Sequence, residues 1–303
     1  MRVALLVTGK TELRGLPGAL QDVFPGIEFQ AIEDVPGRPF RGFTSNPVPA
    51  PIQIAPTSLD KLVARAISLV EPADAKQWDL VVIFEDLELA NRSQPDRVCE
   101  AVRQAFANHV AGLERDEVAK QTLAEAIRHR ISFHLAVPMI ESWFFAAPSA
   151  LTALGLGATS FHKKPGDPEQ FESTDKKYIG AVPSSCTAFC RNGSPKGDRP
   201  KWIGAQSERV LHPKGYIQWL LMDPAHKTCT SYRESTAGQV LEKIEWARLL
   251  GNPDHMPFAR ALIADLAEGL GQSPAIPAWD GFRAGVTSRT EPDGQRSFVL
   301  RNL

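Results

Sequence analysis

The chain has 303 residues, of which 43% are hydrophobic, and its 34 basic residues nearly balance its 35 acidic ones. That length is enough for one large or two modest domains with an ample core. A formal net charge of −1 excludes attraction by bulk charge as a basis for binding nucleic acid, so any such partner must be met by a local patch. No apolar run approaches the length of a membrane span or signal peptide, and the four cysteines are scattered. We therefore expect a cytoplasmic protein with no membrane partner and with reduced cysteines.

Residues 2–7 are apolar and predict a buried strand that ends in Thr8-Gly9-Lys10-Thr11-Glu12. The glycine permits a tight turn, and a helix is expected to open at Thr11 to Glu12. A phosphate-binding loop is disfavoured because the upstream glycine that its pattern needs is replaced by Ala4, inside the strand. Glu12 is therefore expected to point to the carboxyl edge of a sheet.

Residues 27–33 alternate apolar and polar side chains and predict an edge strand. Six prolines lie between Pro36 and Pro56, which indicates a long loop or arm. Thr57 and Ser58 then cap an amphipathic helix that extends to Val70. This part of the chain is thus predicted to form a strand–helix–strand motif.

The stretch Val81-Val82-Ile83-Phe84 predicts a strand buried on both faces, as in a parallel sheet. Glu85, Asp86 and Glu88 follow it at once, where the chain leaves the sheet. Ligands of open α/β sheets bind at that carboxyl edge, and two carboxylates one residue apart can reach one Mg²⁺ or Mn²⁺ ion. The alternative is a solvated acidic turn.

A further strand is predicted at residues 131–137, after two helices at about 96–110 and 116–129. It leads into Pro138 and a helix whose apolar first turn carries Glu141. A carboxylate there is costly to bury without a partner. The helix N-terminus partly offsets that cost, so a structural role for Glu141 is one possibility. Binding of a metal ion by Glu141 is the more specific one. His134, in mid-strand, is expected to be a core histidine.

Residues 155–206 lack periodicity and predict an irregular insertion. Basic residues alternate there with aromatic ones, a pattern that could grip a nucleic-acid backbone and stack on bases. A plain surface insertion is the alternative. The lysines that we expect to bind nucleic acid are Lys163, Lys164, Lys176 and Lys177, and the interleaved aromatic residues are Phe161, Phe171, Tyr178, Phe189 and Trp202. Four residues could in principle bind zinc, although their spacing is not that of a standard zinc site: Cys186 and Cys190, with His226 and Cys229 later in the chain. Helices are predicted again at 211–221, 238–250 and 257–270.

Three motifs together resemble the Toprim fold, the metal-binding domain shared by bacterial primases, topoisomerases and OLD (overcoming-lysogenization-defect) nucleases. They are Gly-Lys-Thr-Glu ending at Glu12, Glu-Asp-Leu-Glu ending at Glu88, and Met-Ile-Glu-Ser-Trp around Glu141. The likeness is greatest to bacterial Toprim-like proteins related to OLD nucleases, and it covers Met1 to Ala147. It implies a Rossmann-like α/β fold, with a mostly parallel sheet and helices on both faces. The domains it implies are a catalytic core at 1–154, the insertion at 155–207, and a helical C-terminal part at 208–303 packing on the core.

The resemblance also implies roles for the acidic residues. Glu12 would move a proton, Asp86 and Glu88 would bind a metal with Glu85 as a rival first ligand, and Glu141 would bind a second metal. Here the usual Asp-x-Asp is Asp-x-Glu, a departure that bears on metal geometry. Lys10 or Lys214 would steady a phosphate group.

The implied function is metal-dependent hydrolysis of DNA or RNA with Mg²⁺ or Mn²⁺, as an effector in anti-phage defence. An ATPase partner and a homo-oligomer fit that expectation. The alternatives are a non-catalytic Toprim module that binds nucleic acid or a partner ATPase, and a phosphohydrolase of small nucleotides. A topoisomerase is disfavoured because no region could form the gate domains, and a primase because no zinc ribbon is recognisable.

Overall fold

A computed structural model describes residues 1–49, 56–71, 78–156, 161–180, 190–191, 194–195, 206–221, 232, 234–277, 279 and 299–303. Its main sheet has four parallel strands in the order β2-β1-β3-β4. The predicted strands at 2–7, 80–85 and 131–137 are thus confirmed as parallel neighbours. The strands are β1 (Arg2–Val7), β2 (Glu28–Ile32), β3 (Leu80–Asp86) and β4 (Ile131–Ala136), and Cys190–Arg191 (β5) pairs antiparallel with Ser194–Pro195 (β6).

Helices cover both faces of this sheet, as expected for strands that are apolar throughout. The helices are α1 (Lys10–Val23), α2 (Thr57–Val70), α3 (Pro95–Ala111), α4 (Glu117–Arg130), α5 (Glu141–Phe144), α6 (Lys176–Ile179), α7 (Gln206–Arg209), α8 (Pro213–Leu220), α9 (Glu234–Glu242), α10 (Trp246–Leu249) and α11 (Pro257–Leu270). Short 3-10 turns occupy Leu89–Asn91, Pro148–Leu154 and Pro168–Gln170. The fold is α/β and Rossmann-like, with an all-parallel sheet.

The two faces of the sheet belong to two hydrophobic clusters. Leu5 and Val82 face α1, α9 and α11, while Leu6 and Val81 face α2, α3 and α4. The alternation follows from the two-residue period of a strand. The first cluster therefore joins the N-terminal strands to helices near the C-terminus.

A close contact fixes α9 on α1. A Cβ atom on Gly15 would overlap the carbonyl group of Gly238, so the two helix backbones touch where both residues lack a side chain. The indole of Trp246 donates to the carbonyl of Ala19 (2.9 Å) and reinforces the same contact. One helix was predicted over 238–250, but the structure has two, interrupted at residues 243–245. Ile244 within that break and Trp246 directly after it are both buried.

The described part of the insertion packs inward. Phe171 and Tyr178 are buried, and their rings contact Tyr216 of α8 at centroid distances of 6.1 and 5.1 Å. The expectation that these two aromatic side chains stack on bases is therefore wrong, because the core of the insertion occupies them. Phe161 is half-buried against Phe145, whereas Phe189 and Trp202 lie outside the described residues.

The C-terminus covers the outer edge of β4. The side-chain amide of Asn302 accepts from Phe133 N–H (2.9 Å) and donates to the Phe133 carbonyl (2.6 Å), as a neighbouring strand would. Arg301 N–H donates to the Ile131 carbonyl (3.0 Å). None of the helices in the described parts of the chain combines the length with the apolar character that a membrane span requires.

Candidate active site

Glu12 lies in the first turn of α1, directly after the end of β1, and its side chain is only 2% exposed. The carboxylate folds back over Gly9, where a Cβ atom would overlap it. Gly9 precedes α1 in an extended conformation (φ −114°, ψ 153°) that any residue could adopt. A side chain at this position would thus displace the Glu12 carboxylate from where it lies, while the backbone conformation would tolerate it.

Asp86 is the last residue of β3, and its Oδ1 accepts from the backbone N–H of Ile140 (2.8 Å). This bond ties the end of β3 to the turn after β4. Glu88 N–H donates to the Pro138 carbonyl (2.8 Å) and ties the same two segments together. Glu88 has φ 60° and ψ 157°, a region nearly restricted to glycine that costs about 1–3 kcal/mol for other residues. The acidic turn is therefore held in a strained form against the end of β4.

Glu141 begins the short helix α5 after β4 and is buried. Its Oε1 accepts from the phenol hydroxyl of Tyr232 (2.5 Å), a residue 91 positions along the chain. The sheet order places β1, β3 and β4 side by side, so Glu12, Asp86 and Glu141 follow three adjacent strands at the same edge.

These carboxyl groups act on one another. The pKa of Glu12 is raised to about 8, chiefly by burial and also by the charges of Glu141 and Glu234, while a backbone hydrogen bond and the charge of Lys214 act in the opposite direction. Burial likewise raises the pKa of Asp86 well above its usual range, and the charges of Glu12, Glu141 and Glu88 add to that rise. The structure thus brings together the four acids expected at the sheet edge.

Lys214, near the start of α8, is the cation of this group. It forms an ion pair with Glu234, and its side chain is 19% exposed. Burial favours the neutral amine, but the charges of Glu141 and Glu234 outweigh it and raise the pKa of Lys214. Lys10, by contrast, is exposed as the first residue of α1, and it is not among the largest influences on the pKa of Glu12, Asp86 or Glu141. Of the two lysines expected to steady a phosphate, only Lys214 stands among the acids.

Glu85 lies on the opposite face of the sheet from Asp86, because successive side chains of a strand alternate. Its Oε1 contacts the Thr44 hydroxyl (2.6 Å) and accepts from Phe43 N–H (3.2 Å). The same hydroxyl donates to the Asp86 carbonyl (2.7 Å). One hydroxyl proton cannot serve both bonds, so a protonated Glu85 fits this geometry. Burial raises the pKa of Glu85 to about 7. The expectation of Glu85 as a rival metal ligand is therefore wrong.

The four lysines of the insertion do not form one group. Lys164 pairs with Glu172 (3.1 Å), Lys176 and Lys177 are exposed in α6, and Lys163 is half-buried in the hairpin. Sequence reasoning missed Tyr232 and Glu234 altogether. No local motif marks either residue, and Glu234 stands at a helix start, where an acid is ordinary.

The donor chemistry of the site fits a divalent cation. Among the described residues, five acids (Glu12, Asp86, Glu88, Glu141 and Glu234) act on one another near the ammonium group of Lys214, so acidic groups outnumber the cations described there, and carboxylate oxygens are the ligands that Mg²⁺ and Mn²⁺ prefer. As placed, no three acidic, His or Cys side chains of the described residues stand at metal-holding distance.

No protein-family model, curated protein or solved structure matches the chain. The resemblance to Toprim proteins accordingly rests on the residues at the three strand ends.

Proposed function

We propose that the protein is a Toprim-type nuclease that hydrolyses phosphodiester bonds of nucleic acid with Mg²⁺ or Mn²⁺. One observation carries the proposal: acids that follow three adjacent parallel strands face one another around Lys214 at the carboxyl edge of the sheet. Acids in such excess over cations are stable only when protonated or bound to a cation.

Asp86, Glu88 and Glu141 are the residues that would hold the cation. When bound, divalent ions neutralise charge on the phosphate and activate water. Glu12, with its pKa raised to about 8, can accept or release a proton near neutral pH. Lys214 offers a positive charge to a phosphate oxygen. The Ile140 N–H and the Tyr232 hydroxyl hold Asp86 and Glu141 in orientation.

The second candidate is a non-catalytic Toprim module that binds nucleic acid or a partner ATPase. It is favoured by one observation, that no three donors among the described residues stand at metal-holding distance. The role in anti-phage defence and the ATPase partner are drawn from the resemblance alone, and both belong to the proposal.

The deciding experiment incubates purified protein with plasmid DNA, single-stranded DNA and tRNA, each with Mg²⁺, Mn²⁺ or EDTA. The nuclease proposal expects cleavage of at least one nucleic acid with a divalent ion and none in EDTA. Small nucleotides run in parallel separate a nuclease from a phosphohydrolase. The absence of cleavage and of any metal-dependent rise in Tm, with a candidate ATPase partner also supplied, would leave the non-catalytic module as the better proposal.

A further inference from the structure

The start of α9 contacts three other helices at the acidic edge of the sheet. The buried Tyr232, just before α9, donates its hydroxyl to Oε1 of Glu141 (2.5 Å) at the start of α5. Glu234, the first residue of α9, accepts at its backbone carbonyl from the Thr11 hydroxyl (3.3 Å) in the first turn of α1. The Glu234 carboxylate forms an ion pair with Lys214 of α8. One short stretch far along the chain therefore joins the starts of α1, α5 and α8.

The packing of α9 on α1 holds that stretch in place. Neighbouring residues across the two helices are Thr11 with Glu234, Gly15 with Gly238, and Gly18 with Glu242. The residue numbers rise together, so the two helices run in the same direction. Because α1 begins at the carboxyl edge of the sheet, α9 begins there as well. Glu234 thus reaches the site through the position of a helix, whereas Glu12, Asp86 and Glu141 reach it at the ends of strands.

Lys214 combines a fixed backbone with a flexible side chain. Nδ1 of His212, the residue before α8, accepts from Gly215 N–H (3.2 Å) and so holds the turn that carries Lys214. The aliphatic stem of a lysine is long and flexible, so its ammonium group can take many positions from one backbone. The contact with Glu234 restricts that group to the place where α9 begins. The position of the ammonium group is therefore set by Glu234.

Glu234 also differs from the strand-end acids in its exposure. Its side chain is 39% exposed, whereas Glu12 and Glu141 are buried. A carboxylate that keeps part of its water can pair with an ammonium group at a small desolvation cost. We propose that Glu234 is a positioning residue that holds the ammonium group of Lys214 ready to meet a phosphate group of the nucleic acid. The contact of Lys214 with phosphate rests on the proposed function.

Removing the charge of Glu234 has an effect whose sign separates positioning from simple repulsion. If Glu234 only repelled the phosphate backbone, Glu234→Gln would tighten binding of nucleic acid. If Glu234 positions Lys214, Glu234→Gln should weaken binding and reduce the slope of log K against log salt by up to about 0.7 for a single strand, as Lys214→Gln should. The double variant should lose no more than Lys214→Gln alone, because both changes remove the same contact. The measurement is fluorescence anisotropy of a labelled single-stranded DNA and an RNA of the same sequence, in EDTA and over a series of salt concentrations.

The matched control is Glu242→Gln, which removes an exposed acid from the last position of the same helix. It should leave the slope as in the wild type, with binding unchanged or slightly tighter. A merely structural role of Glu234 would lower the Tm of Glu234→Gln and leave the slope unchanged. A role as a metal ligand would remove the Mg²⁺-dependent rise in Tm, which should persist in Glu234→Gln if the residue acts through Lys214.

Cleavage with Mg²⁺ gives a second readout of the same pair. Glu234→Gln should reduce cleavage by about 10- to 100-fold, as the loss of a group that orients a functional side chain does, and the double variant should again lose no more than Lys214→Gln.

The positioning role would be overturned by tighter binding in Glu234→Gln, by an unchanged slope in Lys214→Gln, by additive losses in the double variant, or by a wild type that binds neither oligonucleotide. Wild-type cleavage that Glu234→Gln leaves unchanged would overturn this role and keep the nuclease proposal. The expected slopes without any cleavage would keep the positioning role and reject the nuclease.

Discussion

Two regions of the molecule bury carboxyl groups in different ways. At the sheet edge, Glu12, Asp86 and Glu141 face one another. At the start of α11, Glu169 is fully buried and stands apart from the sheet-edge acids, and it accepts from the backbone N–H groups of Phe258 and Ala259 at 2.9 Å each. Glu169 thus satisfies two donors that a helix start leaves open. Each acid of the sheet edge has a hydrogen-bond donor or a nearby cation, and these acids also act on one another.

The pKa of an acid does not separate these two regions. Burial raises the pKa of Glu12 and of Glu169 alike to about 8. The two acids differ in their partners. Backbone N–H groups satisfy both carboxyl oxygens of Glu169, whereas the neighbouring acids of Glu12 favour binding of a proton or a cation there. We therefore read Glu169 as the residue that fixes the insertion to α11, and Glu12 as part of a site.

The largest expected effect is a loss of cleavage in Asp86→Asn, and it tests whether the sheet-edge acids differ from Glu169 in function. Asp86→Asn keeps the shape and the acceptor for Ile140 N–H but removes a charge that attracts a cation. We expect cleavage to fall by about 1,000-fold, since a catalytic metal contributes several kcal/mol to the barrier. Tm in EDTA should hold or rise slightly, because one repulsive charge is gone. The measurements are the initial cleavage rate with Mg²⁺ and the thermal shift on adding Mg²⁺.

The matched control is Glu169→Gln, which also replaces a buried acid by its neutral amide. It should keep both cleavage and the Mg²⁺-dependent rise in Tm. If both variants lost the metal response equally, or if Asp86→Asn cleaved as the wild type does, the distinction between the two regions would be wrong.

The next effect is on folding. Glu169→Ala leaves two buried N–H groups without an acceptor, each worth about 1–3 kcal/mol, so we expect the free energy of unfolding to fall by about 3 kcal/mol. Glu169→Gln retains one oxygen acceptor and should lose less than half of that. Urea denaturation of the two variants and the wild type measures the difference. Equal stability of Glu169→Ala and wild type would show that the two bonds do not anchor the insertion.

Much of the parallel sheet could be predicted because the sequence patterns that indicate its strands are local. Apolar runs of strand length that end in acids located β1, β3 and β4, and the rule that parallel strands share a carboxyl edge brought Glu12, Asp86 and Glu141 together. Glu85 was wrongly grouped with them, since the acidic motif was read as one unit although a strand alternates its side chains.

The remaining features of the site depend on long-range contacts that no local sequence pattern indicates. Tyr232 and Glu234 reach the site over more than 200 positions from Glu12, through the packing of α9 on α1 at Gly15 and Gly238. Phe171 and Tyr178 lie in a segment without periodicity, so nothing in the sequence distinguished buried rings from exposed ones.

The effect that is smallest over a single pH unit is the change of stability with pH, and it compares Glu12 directly with Glu169. Each acid has its pKa raised from 4.5 to about 8 in the folded protein, so the folded state holds a proton that the unfolded state releases. The stability that each contributes is complete below pH 4.5 and is lost as the pH rises to about 8, at no more than about 1.4 kcal/mol per pH unit.

Glu12→Gln and Glu169→Gln should both reduce this fall of stability with pH when the free energy of unfolding is measured in EDTA. Saturating Mg²⁺ should also flatten it for the wild type, because a cation beside Glu12 favours the carboxylate without a proton. In Glu169→Gln, saturating Mg²⁺ should still reduce the fall of stability with rising pH. In Glu12→Gln, this effect of Mg²⁺ should largely vanish. Should Mg²⁺ change the slope of both variants equally, Glu12 would be a structural acid of the same kind as Glu169.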